Sequence, residues 1–260
     1  MRRMAKTKLF VLLALLAAFL VPGGRAAGAM DAASLPAPQL VTGAWMFMAA
    51  YKADPEALKA LLPEGLETTG NVVINMYTVP EATQTSGFGA YTLTYLTVEL
   101  KGHDSYIMSS DTTIPGRYFA YYFNSSPFMR DYTKLIGIPA EEGMTTTTVK
   151  DGKLTATLTV GGQKFIEATA DVGSELGNFG GGHLNYFGLL ETEKDGKTVK
   201  QIVKYPIPWN GGTVDIKNPK ITFSAPEGHP LNKIKPEGDP VWAIWTKGSF
   251  VYPQYVIVNQ

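Results

Sequence analysis

A chain of 260 residues, 45% hydrophobic and only 18% charged, is long enough for one substantial core. Lys+Arg and Asp+Glu stand at 23 each, so no charge excess draws it to nucleic acid. Cysteine is absent, so an oxidising exterior costs nothing and no disulfide supports the fold.

Residues 1–29 read as a signal peptide. Arg2, Arg3, Lys6 and Lys8 form a basic start, Leu9 to Val21 is an unbroken apolar run, and Ala27-Gly28-Ala29 fits a small-x-small cleavage site that leaves Met30 first. The run is short for a transmembrane span, and no later stretch is long and apolar enough to cross a bilayer, so an exported, periplasmic or extracellular protein with no stable membrane span is expected. Retention of the leader as an anchor is the minor alternative. Loss of the five basic residues of 1–29 leaves 18 Lys+Arg against 23 Asp+Glu, a net charge of −5, with no basic block for nucleic acid. Residues 30–44, rich in Ala and Pro from Asp31 to Gln39, read as a tether before a single domain over 45–260.

Asp54-Pro55-Glu56 opens a short helix, with Asp54 as cap, Leu58, Leu61 and Leu62 on its apolar face and Pro63 as its stop. Asn71 to Val79 predicts a strand, and Glu81 to Gly89 a polar loop. In Tyr91 to Leu100 the apolar positions change phase, from Tyr91, Leu93 and Tyr95 to Leu96, Val98 and Leu100, which predicts a bulge or sharp twist near Tyr95–Leu96.

Gly116 to Pro139 reads as one unit: an aromatic strand to Phe123, a polar corner at Asn124-Ser125-Ser126, and a helix from Pro127. Ser126 caps that helix, Phe128, Met129, Tyr132, Leu135 and Ile136 form its apolar face, and Gly137 and Pro139 end it. Lys150-Asp151-Gly152-Lys153 and Lys194-Asp195-Gly196-Lys197 are Asp-Gly hairpin turns, and Gly161-Gly162 turns again between them. Gly173 to Gly188 predicts a glycine-rich loop that approaches other backbone closely. Thr213 to Ser224 and Val241 to Val258 supply the last strands. Many strands, few helices and no βαβ rhythm predict a mainly β (α+β) fold, a closed or nearly closed antiparallel barrel with a few peripheral helices.

Motifs for metals, phosphates and dinucleotides (HExxH, CxxC, P-loop, GxGxxG) are absent, so neither metal nor cofactor is expected. His103, His183 and His229 are isolated and read as structural or surface residues.

Several separated stretches resemble the acetoacetate decarboxylase superfamily. They are Tyr51 to Leu58 (YKADPEAL), Leu62 to Glu67 (LPEGLE), Gly87 to Thr94 (GFGAYTLT), Gly116-Arg117, His229-Pro230-Leu231, and Pro240 to Val258, in that order. The resemblance implies a conical antiparallel barrel with helices outside, a pocket inside, and often a homo-oligomer. It also implies decarboxylation of a 3-oxo acid through a Schiff base on a lysine. The places of the family's two adjacent lysines hold Asn124 and Ser125, the places of its two pocket glutamates hold Asn75 and Leu93, and a pocket arginine is matched by Lys52. Arg117, Tyr91 and Tyr122 complete the implied pocket. The expected function is therefore an acetoacetate decarboxylase-like protein binding a small oxo acid or related carboxylate, with any lyase chemistry not carried by the usual lysine. The alternative is a non-catalytic barrel for a small carboxylate or an apolar ligand.

Overall fold

The computed structural model describes residues 38–108 and 113–258; the leader over 1–29 and the first part of the tether lie outside them. The strands are β1 (Gln39–Lys52), β2 (Thr68–Val79), β3 (Tyr91–Ile107), β4 (Ile114–Asn124), β5 (Ala140–Glu142), β6 (Met144–Lys150), β7 (Lys153–Val160), β8 (Gln163–Lys194), β9 (Lys197–Phe223), β10 (Trp242–Tyr252) and β11 (Val256–Ile257). Two helices, α1 (Pro55–Leu61) and α2 (Pro127–Leu135), accompany them, with single 3-10 turns at Ala82–Gln84 and Pro230–Ile234. No helix among the described residues is long and apolar enough to cross a membrane.

Local chemistry accounts for most boundaries. Asp54 accepts a hydrogen bond from the Glu56 amide at 3.0 Å, and Ser126 accepts one from the Met129 amide at 3.3 Å, so each helix opens on a side-chain cap before a proline. Asp151 and Gly152 (φ 50° and 72°) and Asp195 and Gly196 (φ 52° and 71°) take the left-handed pair that a two-residue hairpin needs.

The pairings close into a ring. β1 pairs with β10 and β2, β2 with β3, β3 with β4, β4 with β8, β8 with β9, and β9 with β10, a circuit of seven strands. All are antiparallel except β4–β8, which runs parallel at Arg117↔Tyr186 and Tyr118↔Phe187. β6, β7 and the start of β8 fold over the outside of the ring. There they bury Leu154, Ala156, Leu158 and Ile166 with Leu58 of α1 and with Ile74, Leu96 and Val98 in one core. A second, aromatic core lies inside the ring.

Three expectations are corrected. β1 starts at Gln39 and buries Val41 and Ala44 completely, so the strand takes in the end of the stretch read as a tether. Gly173 to Gly188 is part of β8 rather than a loop. Its close approach is real: a Cβ on Gly182 would collide with the Tyr106 carbonyl where β8 meets β3. β3 itself keeps a strict alternation, with Tyr91, Leu93 and Tyr95 inside and Leu96 and Val98 outside. Its apolar pattern changes because both faces are buried. A bulge does lie beside the expected place, but its extra residue is on β4: Leu96 pairs with Tyr121 and Thr97 with Phe119, leaving Ala120 over.

Candidate functional site

That bulge sets the interior of the ring. On its N-terminal side Arg117 and Phe119 face inward. Ala120 and Tyr121 then turn outward together, and Tyr122 faces inward again. Gly116 makes the approach of β4 to β3 possible, since a Cβ there would strike the His103 carbonyl. Glu99 lies opposite Arg117 in register, and Asn75 lies opposite Tyr95.

All seven ring strands contribute to one cavity of about 420 Å³, within the ~300–1,000 Å³ that small-molecule sites occupy. Its wall is mainly apolar, with Met46 and Met48 from β1, Ile207 and Trp209 from β9, and Trp242 and Ile244 from β10. Into this wall are set Asn75, Glu99 and Arg117, all buried. The Arg117 side chain, in a residue only 3% exposed, donates from Nη1 to the Tyr186 hydroxyl at 3.4 Å. Its guanidinium carbon stands 5.9 Å from the Tyr186 ring centroid and 5.7 Å from that of Trp242. Its Nε has no partner. Glu99 Oε2 accepts from Asn71 Nδ2 at 2.9 Å and Thr69 Oγ1 at 3.3 Å, and no ion pair joins it to Arg117 among the described residues. Both amide atoms of Asn75 and the indole Nε1 of Trp209 also lack partners. A buried guanidinium without an ion pair is costly unless an anion meets it.

The other end of the ring is filled. Tyr77, Tyr91, Leu93 and Tyr122 pack with Phe88 and with Met129 and Tyr132 of α2. The Tyr77 hydroxyl lies 3.0 Å from that of Tyr252 and 3.4 Å from that of Tyr91. Burial, helped by neighbouring tyrosine hydroxyls, pushes the titration of Tyr77, Tyr91 and Tyr122 well above the ordinary tyrosine range.

Of the residues expected to form the pocket, the structure brings Arg117 and Asn75 to the cavity. Tyr91, Leu93 and Tyr122 lie in the filled end, outside its lining. Asn124 and Ser125 lock the corner instead: Asn124 Oδ1 accepts from the Ser126 amide at 2.8 Å, and Ser125 Oγ accepts from the Thr92 amide at 2.8 Å. Lys52 is exposed, because it lies past the last β1–β10 pair, Ala50↔Trp242, where the ring no longer encloses the strand. No lysine lines the cavity among the described residues. Sequence reasoning missed Glu99, Tyr186, Trp209 and Trp242. The alternation of β3 alone would have put Glu99 on the Tyr91 face.

None of the three histidines lines this cavity. His229 Nδ1 accepts from the Leu231 amide at 3.2 Å and caps the turn at Pro230, while His103 packs on Phe187 and His183 on Tyr106. The described residues contain no cluster of three or more His, Cys, Asp or Glu able to hold a metal.

Comparison with known proteins gives the same outline. A family model described as acetoacetate decarboxylase (ADC) matches residues 26–251. A solved acetoacetate decarboxylase superposes with a TM-score of 0.71 at 17% identity, over 86% of this chain and 90% of that one. The acetoacetate decarboxylase of Legionella pneumophila gives 0.70 at 18% identity, over 87% and 93%. The enduracididine biosynthesis enzyme MppR, solved in complex with pyruvate, gives 0.59 at 15% identity, over 90% and 93%. Sequence comparison with curated proteins finds no match.

Proposed function

The chain belongs to the acetoacetate decarboxylase family, and from that premise we propose that it is an exported protein whose ring cavity binds a small oxo acid or related carboxylate without forming a Schiff base. The observation that carries this reading is Arg117: a buried guanidinium on the wall of an apolar cavity, with an aromatic hydroxyl and two rings as its company and no carboxylate paired to it. In such surroundings a charge-assisted bond to a carboxylate is strong and selective against neutral ligands. The pyruvate complex of MppR supports an oxo acid as the ligand class.

A Schiff base needs a neutral amine beside the substrate carbonyl. The cavity offers no lysine among the described residues. Asn124 and Ser125, at the places where the family resemblance puts the two lysines, are engaged in the corner that starts α2. Export rests on the leader and its cleavage site, and predicts a secreted form beginning at Met30 by intact mass.

The test is thermal shift of the purified protein with pyruvate, acetoacetate and their amides. The acids are expected to raise Tm and the amides to leave it unchanged, and Arg117→Met is expected to stay folded by circular dichroism and lose the response. Acetoacetate with borohydride is expected to leave the mass unchanged; a trapped adduct on any lysine overturns the non-covalent reading. The second reading, a lyase with a rebuilt site, is favoured by Glu99, a carboxyl on the same wall. It predicts carbon dioxide release that Glu99→Gln abolishes.

A further inference from the structure

The cavity is large for a short oxo acid, and its unpartnered polar atoms are far apart. Arg117 and Asn75 belong to the strands on either side of β3, and their partners there are Glu99 and Tyr95. At ~3.3 Å per residue, Tyr95 and Glu99 are separated by roughly 13 Å along β3. Two strand spacings of ~4.8 Å also separate β2 from β4, so the two Cα atoms are roughly 16 Å apart and the polar ends on the order of 10 Å apart once the side chains reach inward. A short oxo acid, whose carboxylate and carbonyl are adjacent, meets one of them and leaves the other bare. The wall between and around them is apolar, with Met48, Ile207, Trp242 and Ile244. Asn75 is fully buried, and both its amide nitrogen and its oxygen lack partners. A hydroxyl satisfies both, accepting from Nδ2 and donating to Oδ1, whereas a carbonyl satisfies only the nitrogen.

From this geometry we propose that the ligand is a medium-chain monocarboxylate with a hydroxyl near its far end: the carboxylate on Arg117, the chain along the apolar wall, and the hydroxyl on Asn75. The proposal rests on the reading that Arg117 meets the acid, and it narrows the related carboxylate of that reading to an elongated amphiphilic one. A chain of about eight to ten carbons spans that distance and fits within a cavity of drug-sized volume.

The experiment follows tryptophan emission, since Trp209 and Trp242 border the cavity, during titration of the purified protein with acetoacetate, hexanoate, decanoate, 10-hydroxydecanoate and decanol. Affinity is expected to rise roughly three- to fourfold per added methylene between hexanoate and decanoate. The terminal hydroxyl is expected to add about tenfold. Decanol is expected to bind far more weakly than decanoate. Asn75→Leu is expected to erase the hydroxyl's tenfold, so that 10-hydroxydecanoate no longer binds more tightly than decanoate. The ligand series on the unaltered protein decides the matter even where that variant does not fold. Acetoacetate binding as tightly as 10-hydroxydecanoate, with loss in Arg117→Met, overturns the elongated ligand and leaves the carboxylate site standing. No binding of any acid overturns both.

Discussion

Inside the ring, the α2 end and the end that holds Arg117 are built by the same strands and the same alternation, yet they differ in how their polar atoms are treated. At the α2 end the tyrosine hydroxyls answer one another, as in Tyr77 with Tyr252 and Tyr91, and Asn124 is used up by the corner. At the Arg117 end several are left over. Among the described residues, four of the six buried side-chain atoms without a partner belong to cavity residues: both amide atoms of Asn75, Nε of Arg117 and Nε1 of Trp209. Since buried polar groups are ordinarily satisfied, a filled region accounts for its own polar atoms and a ligand site leaves some for the ligand. Tyr91, Leu93 and Tyr122, which the resemblance placed in the pocket, are buried in the core beside α2, and Asn124 and Ser125 hold the corner before it.

The largest effect expected from that contrast is alkaline collapse. Tyr77, Tyr91 and Tyr122 are raised by burial above the ordinary tyrosine range, so their neutral form is favoured only while folded. Their contribution is complete below the unfolded-state pKa of about 10 and is lost as pH climbs from there toward the folded values, by about 1.4 kcal/mol per pH unit for each tyrosine. Tyrosinate absorbance is expected to appear together with loss of the circular dichroism signal above about pH 10. A gradual titration in the folded protein would break the contrast.

Next is a pair of truncations. Tyr122→Ala, in the filled end, is expected to cost about 3–5 kcal/mol in urea denaturation. Trp242→Ala removes a larger side chain that is half-buried against open space, and it is expected to cost less than half as much because few contacts are lost. Equal costs would mean that the two ends are packed alike. The smallest effect is that of Ser126→Ala, which removes the α2 cap and is expected to cost about 0.5–2 kcal/mol. Carboxylate binding should not change in that variant; a lost ligand response would bring the corner back into the site.

Much of the fold was readable in advance where a few neighbouring residues decide. The Asp-Gly hairpins, the Asp54 and Ser126 caps, and Gly137 at φ 86° depend on backbone geometry within a turn. The glycines from Gly173 to Gly188 were misread because the same residue serves a loose loop and a strand pressed against another backbone. Only the Tyr106 carbonyl beside Gly182 separates the two. The β3 pattern was misread because burial on both faces imitates a phase slip.

The sequence by itself determined most of the strands, the turns and caps between them, and the presence of an arginine and an asparagine where the family resemblance drew a pocket. Tertiary structure alone decided that Arg117 and Asn75 share a cavity with Glu99, Trp209 and Trp242, that Lys52 falls outside it, and that the tyrosines fill the opposite end. The physical reason is range. A turn is settled by steric and hydrogen-bonding terms between residues a few positions apart, whereas a cavity wall is settled by the register of strands as distant as β1 and β10 and by one extra residue, Ala120, in β4.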